Sequence, residues 1–219
     1  MPVYGTMRAI HPFSDERRRF KMSPQRKNDS QIVRIAYVGM MAAIVFVGNY
    51  FRIPFMDTKL TLVNALCVIS GLLLGPGGGF LSAGIGSLLY DIVMGYGLES
   101  LITFFSKGMI PVVTALVAGQ SAKAERITVP DRTRIFLGAG LGAFTYVILY
   151  MLKTLVMGLT VKGLTLEATW ISMGMKFPGS AINAIFAAIA GPLLFFALRP
   201  ALFRAGLFSQ TTRRPNPPF

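Results

Sequence analysis

From Ile32 to Leu198 the chain alternates long apolar runs with short polar breaks. There are six runs: Ile32 to Phe51, Thr61 to Gly75, Phe80 to Gly95, Leu98 to Gly119, Ile135 to Leu159 and Trp170 to Leu198. A hydrocarbon core about 30 Å thick takes roughly 20 apolar residues at 1.5 Å each, so the pattern predicts membrane-crossing helices. The second and third runs fall short of that length and must tilt or be helped by neighbours if both cross. The expected fold is an all-α integral membrane protein, six helices in a compact bundle. The Gly75-Pro76-Gly77-Gly78-Gly79 run reads as the turn between the second and third helices. It is not a phosphate-cradling loop, because no Lys and Ser/Thr follow at the required spacing.

The polar exceptions inside these runs share a depth. With the runs threaded in order, Asn64 lies near the outer end of the second, and Asp91 is one turn from the outer end of the third, on a face with Gly84 and Ser87. Thr103 and Lys107 share a face of the fourth at i and i+4, with Lys107 about 13 Å down the helix. Tyr146, Tyr150 and Lys153 form a stripe in the fifth run, and Lys176, Ser180 and Asn183 another in the sixth. The inner halves carry almost only Ala, Gly, Val, Leu, Ile and Phe. An ionisable side chain in hydrocarbon is costly and faces a bundle interior or a wet cavity, so the cluster predicts a polar pocket open to one side. The candidate ligand contacts are Asn64, Asp91, Tyr96, Thr103, Lys107, Tyr150, Lys153, Lys176 and Asn183.

Other roles are open to the same residues. Lys153 and Lys176 are near enough to the interface to snorkel, and Tyr146, Tyr150 and Trp170 fit an aromatic belt. Asp91 and Lys107 can neutralise each other as a buried pair, and Asn64, Ser180 and Asn183 can join helices by hydrogen bonds. In the first run Ala36, Gly39 and Ala43 make a small-residue face that lets another helix approach closely, from within the chain or from a partner. The Arg52 to Leu60 segment, with Pro54 and Asp57, joins two runs on the pocket side and is placed to act as a lid.

Composition fits the pattern: 53% hydrophobic residues, 14% charged and a mean hydropathy of +0.57 over 219 residues. Of 22 Lys plus Arg, 8 lie up to Arg34, 4 between Lys123 and Arg134, and 4 from Arg199 onward. By the positive-inside rule these three regions are cytoplasmic, which makes the net charge of +13 mostly a record of topology. The basic N-terminal stretch suits anionic lipid headgroups better than nucleic acid. Residues 1–30 read as a disordered basic extension without a cleavable signal, 31–205 as the membrane domain and 206–219 as a flexible tail.

Candidate chemistry is sparse. The single Cys, Cys67, lies inside the second run, and the single His, His11, in the N-terminal stretch. One of each excludes an internal disulfide and leaves no metal cluster and no nucleophile-base pair within the membrane. Asp91 with Lys107 is the one candidate catalytic pair, so the reading is a non-enzymatic protein with no cofactor. No ATPase motif is present, and active transport would draw on an ion gradient or a separate subunit.

The stretch KLTLVNALCVISGLLLGPGGGFLSAGIGSLLYDIVMGYGLESLITFFSKGMIPVV, with FPGSAINAIFAAIAGPLLFFAL later, resembles the substrate-binding S components of energy-coupling factor (ECF) transporters. The likeness covers most of residues 34 to 198. It implies a six-helix protein of the prokaryotic plasma membrane that captures a vitamin or related micronutrient beneath its outer loops. It also implies partners: a transmembrane coupling protein docked on the first helix, and two ATPase subunits. Gly39 and Ala43 stand at the small positions of that docking motif, Gly replacing the first Ala. Ser180 and Asn183 stand where relatives often carry Asn and Gln. The excess of Lys107, Lys153 and Lys176 over Asp91 and Glu99 favours a ligand with a carboxylate or another electron-rich edge. A stand-alone, gradient-driven transporter of a small polar metabolite is the alternative, but it needs a polar path to both faces.

Overall fold

Five helices and one short hairpin succeed one another in a computed structural model that describes residues 24–55, 58–120 and 131–204. Helix α1 spans Pro24–Gly48, strands β1 Arg52–Phe55 and β2 Thr58–Thr61, and helices α2 Val63–Val93, α3 Glu99–Val117, α4 Arg132–Thr160 and α5 Leu166–Arg204. Each helix contains a stretch long and apolar enough to cross a membrane. Their outward faces carry exposed Ile, Leu and Phe, among them Ile35, Leu101, Phe144 and Ile185, as contact with lipid requires.

Two features depart from the hydrophobic pattern. Where that pattern predicts separate second and third helices, there is one element, α2, broken at Gly75. Gly75 adopts φ 72° and ψ −175°, a conformation that glycine alone takes readily, and Pro76 behind it disfavours helical geometry at its predecessor. The break turns the chain sharply enough to bring Gly79 back against Gly71: a Cβ at Gly79 would stand 3.0 Å from the Gly71 Cα. Both glycines also meet Pro111 of α3, and a Cβ at Gly71 would come within 2.5 Å of the Pro111 carbonyl oxygen.

The second departure is the hairpin. The segment expected only as a lid loop pairs β1 with β2 antiparallel, Arg52 opposite Thr61 and Pro54 opposite Lys59, so the fold is not wholly helical. Asp57 lies outside the described residues. Helix α1 begins at Pro24, ahead of the expected boundary at residue 31. The remainder of the N-terminal extension, the basic stretch from Lys123 and the C-terminal tail from residue 206 lie outside the described residues, apart from Arg132 and Arg134 at the start of α4.

The core lies along α2, which packs against α1, α3 and α5, while α4 closes the bundle between α3 and α5. Val45, Val63, Val68, Leu72, Ile110, Ile135 and Phe195 are fully enclosed there, as is Cys67. Small residues set the spacing. Gly138 of α4 sits on the Thr114 carbonyl of α3, and Gly191 of α5 on the Val68 side chain, positions where any Cβ would have to displace a neighbour.

Candidate functional site

The two ends of this core differ in chemistry. At the end where β2 enters α2 and α3 begins, a cavity of about 260 Å³ opens between the hairpin, α2, α3, α4 and α5. Helical spacing explains its α3 wall: Glu99, Thr103 and Lys107 recur every four residues and so stack on one face. From α4, Tyr146, Tyr150 and Lys153 turn to the same space, and Lys176 reaches it from α5. Tyr96 comes from the α2–α3 connection, where Gly95 and Gly97 both take positive φ.

Lys107 is the deepest cation. It is 8% exposed, donates from Nζ to Asn64 Oδ1, and lies 4.7 Å from the centroid of the Tyr146 ring. Of the two roles open to Lys107 and Asp91, mutual neutralisation is not adopted. An ion pair of the cavity wall joins Lys153 Nζ to Glu99 Oε2 at 3.2 Å, while Asp91 stands beside the Thr103 hydroxyl. Lys153 also donates to Thr103 Oγ1 at 3.0 Å, so its ammonium is held in the cavity and does not snorkel outward. Tyr146 and Tyr150 are stacked on one another, ring centroids 5.6 Å apart and planes 25° from parallel.

The hairpin supplies the upper wall. Arg52 donates from Nε to the Asn49 carbonyl at 2.6 Å and places its guanidinium 3.9 Å from the Tyr90 ring centroid. Lys59 donates to the Tyr96 hydroxyl at 3.1 Å, bridging the hairpin to the α2–α3 connection. Asn183 of α5 fastens β2 from the other side: its Oδ1 accepts from the Thr61 amide at 2.8 Å, and its Nδ2 donates to the Lys59 carbonyl at 2.7 Å.

The sequence-selected residues thus fall into two groups. Asp91, Tyr96, Thr103, Lys107, Tyr150, Lys153 and Lys176 line the cavity. Asn64 and Asn183 stand behind the lining, the first bonded to Lys107 and the second to the hairpin. Ser180 turns away and donates to the Phe177 carbonyl. The candidate list omits Arg52, Lys59, Glu99 and Tyr146, which also line the cavity. Glu99 was signalled by its four-residue spacing from Thr103, and Tyr146 by the stripe it shares with Tyr150. Arg52 and Lys59 come from a segment without helical periodicity, and their convergence depends on the hairpin.

On α1, Ala36, Gly39 and Ala43 all face outward, and a Cβ added at Gly39 would meet nothing within 4 Å. The opposite side of α1 packs on α2 through Ala42 and Val45, which close over Gly86. Among the described residues nothing covers the small-residue face.

Residues 29–200 match the family model of the ECF-type riboflavin transporter S component. The chain belongs to that family. A solved S component of a bacterial ECF transporter superposes with a TM-score of 0.54, covering 78% of this chain and 98% of that one at 20% identity, which establishes a shared fold. No curated protein matches the chain. As an S component it is a multi-pass membrane protein of a transport system.

Proposed function

We propose that this S component captures a flavin-like vitamin in the cavity beneath the hairpin, at the outer membrane face. A transmembrane coupling protein and two ATPases then drive import. The observation that carries the reading is the convergence of polar side chains from four helices and the hairpin on one cavity, in a chain of this family. The stacked Tyr146–Tyr150 pair and Tyr96 suit a planar aromatic ligand, which offers a face for offset stacking. Thr103, Asp91 and the basic residues suit its polar edge.

In this reading α2 crosses twice, outward and inward portions meeting at the Gly75 break. A straight helix of 31 residues would be about 46 Å long, well beyond a hydrocarbon core of about 30 Å, and the return of Gly79 onto Gly71 supports a reversal. Six crossings would put both termini on the same side, and the basic flanks favour the cytoplasm. The exposed Ala36, Gly39 and Ala43 face is where the coupling protein docks, since close helix approach needs small residues and none of the described residues covers it. A gradient-driven carrier has less support: among the described residues the enclosed core below Lys107 and Asn64 carries Val68, Leu72, Ile110 and Ala139 with only uncharged polar members, Ser70, Ser82, Thr114 and Gln120, and no second cluster of ionisable groups.

The test is mass spectrometry of the small molecules released when protein purified from its own membranes is denatured, with flavin fluorescence titration of the emptied protein. A flavin released in stoichiometric amount, and rebinding in the micromolar range or tighter, is the expected result. A different metabolite in stoichiometric amount would refute the flavin assignment, and no saturable small-molecule binding would refute the capture role.

A further inference from the structure

Twenty-two Lys and Arg are present, and all but six lie in the three basic flanks. The remaining six are Arg52, Lys59, Lys107, Lys153, Lys162 and Lys176, and every one of them lines the same cavity. On the outer side of a membrane protein Lys and Arg are normally sparse, so this convergence runs against the topological tendency. Among the described residues the acidic groups lining the cavity are Asp91 and Glu99, and Glu99 is engaged by Lys153. Among the described residues, three of the cations meet neutral hydrogen-bond acceptors: Lys107 the Asn64 amide, Lys59 the Tyr96 hydroxyl, and Arg52 the Asn49 carbonyl. Lys107 is too deep and too enclosed to reach lipid headgroups. Like charges gathered in a cavity with low-dielectric walls repel one another and attract a counter-ion.

Building on the capture role proposed above, we propose that the ligand is anionic, carrying a carboxylate or a phosphate monoester that completes the charge balance of this cavity. A neutral vitamin would leave Lys107, Arg52 and Lys59 with the neutral acceptors just named. An anionic one would accept hydrogen bonds from Lys107 below and from Arg52 and Lys59 on the hairpin above, each a charge-assisted contact.

Three flavins with the same ring system separate the possibilities: neutral riboflavin, 10-carboxymethylflavin with its carboxylate, and riboflavin 5′-phosphate. Titrated against the emptied full-length protein in nanodiscs of neutral lipid, at least one anionic flavin is expected to bind tenfold or more tighter than riboflavin. The better of the two identifies the anionic group. The preference should shrink as salt rises, and Lys59→Gln or Arg52→Gln should each narrow it by about threefold or more. Both substitutions are on the hairpin, away from the core, so they test the idea even if Lys107→Gln folds poorly. Riboflavin binding as tightly as both anionic flavins would overturn the proposal and leave the flavin assignment intact. If no flavin binds, that assignment fails, and inorganic pyrophosphate decides the present point. Thermal stabilisation by pyrophosphate at constant ionic strength, lost in Arg52→Gln, would support an anion site, and its absence would overturn it.

Discussion

Replacing Lys107 with Met keeps most of the side-chain volume and removes only the ammonium group. In the folded protein that group donates to Asn64 Oδ1 and lies over the Tyr146 ring. The hydrogen bond to a charged donor is worth about 1.5–3 kcal/mol, and a desolvated cation over an aromatic face about 2 kcal/mol. Against these stands the cost of keeping an ammonium out of water without a carboxylate partner, several kcal/mol per ion. The opposing terms nearly cancel without ligand, so Lys107→Met should fold in normal yield with stability changed by no more than about 2 kcal/mol. One residual cost falls on Asn64: losing Lys107 removes the donor that its buried Oδ1 accepts from.

With ligand bound the cancellation disappears, because the desolvation cost has been met in folding and only the contact is lost. Affinity should fall by about 1.5–3 kcal/mol, roughly 10- to 150-fold. The assay is flavin fluorescence titration of wild type and Lys107→Met, beside thermal unfolding of both without ligand. A double-mutant cycle locates the partner. Asn64→Leu with Lys107→Met should show coupling of about 1–3 kcal/mol, whereas Asp91→Asn with Lys107→Met should be additive within about 0.5 kcal/mol. Unchanged affinity in a folded Lys107→Met protein, or stronger coupling to Asp91 than to Asn64, would refute this account.

Three further outcomes are expected. Gly71→Ala forces a methyl group into the Pro111 carbonyl at the α2–α3 crossing and should cost about 1–3 kcal/mol in thermal unfolding, with ligand affinity of the surviving folded fraction unchanged. Ala43→Leu enlarges the outward face of α1 far from the cavity, so transport into cells should fall several-fold while equilibrium binding by the isolated subunit persists; loss of both would mean that the face packs within the chain. Asn183→Ala removes both hydrogen bonds that fasten β2 to α5, and stopped-flow exchange should show faster ligand release by about tenfold, from about 1–2 kcal/mol of lost anchoring; unchanged release would exclude the hairpin as a gate.

Much of the cavity was readable from periodicity because its walls are helices. Thr103 with Lys107, and Tyr146 with Tyr150 and Lys153, each fix a face, and a charge in an apolar run already implies an interior neighbour. Partner choice was not readable. Whether Lys107 meets Asp91 or Asn64 depends on how α2 and α3 are rotated against each other, which the spacing within either run does not encode. The hairpin also escaped notice: β1 and β2 are four residues each, too short for alternation to stand out, and β1 contains a proline. The break in α2, by contrast, was signalled by Gly75-Pro76, although a tight reversal within one element differs from two helices joined by a loop.

The enclosure of Cys67 has a practical consequence. It is the only thiol in the sequence and it is wholly buried in the core. The natural chain therefore serves as its own silent background for site-directed labelling, with no cysteine-free variant to engineer and revalidate. A single cysteine introduced at Lys59, Leu98 or Gly39 would be the sole sulfhydryl open to a water-borne maleimide in the folded protein. Fluorophores or spin labels at such positions can then follow hairpin displacement, membrane sidedness and subunit association in one and the same protein, each reported by a probe whose address is unambiguous.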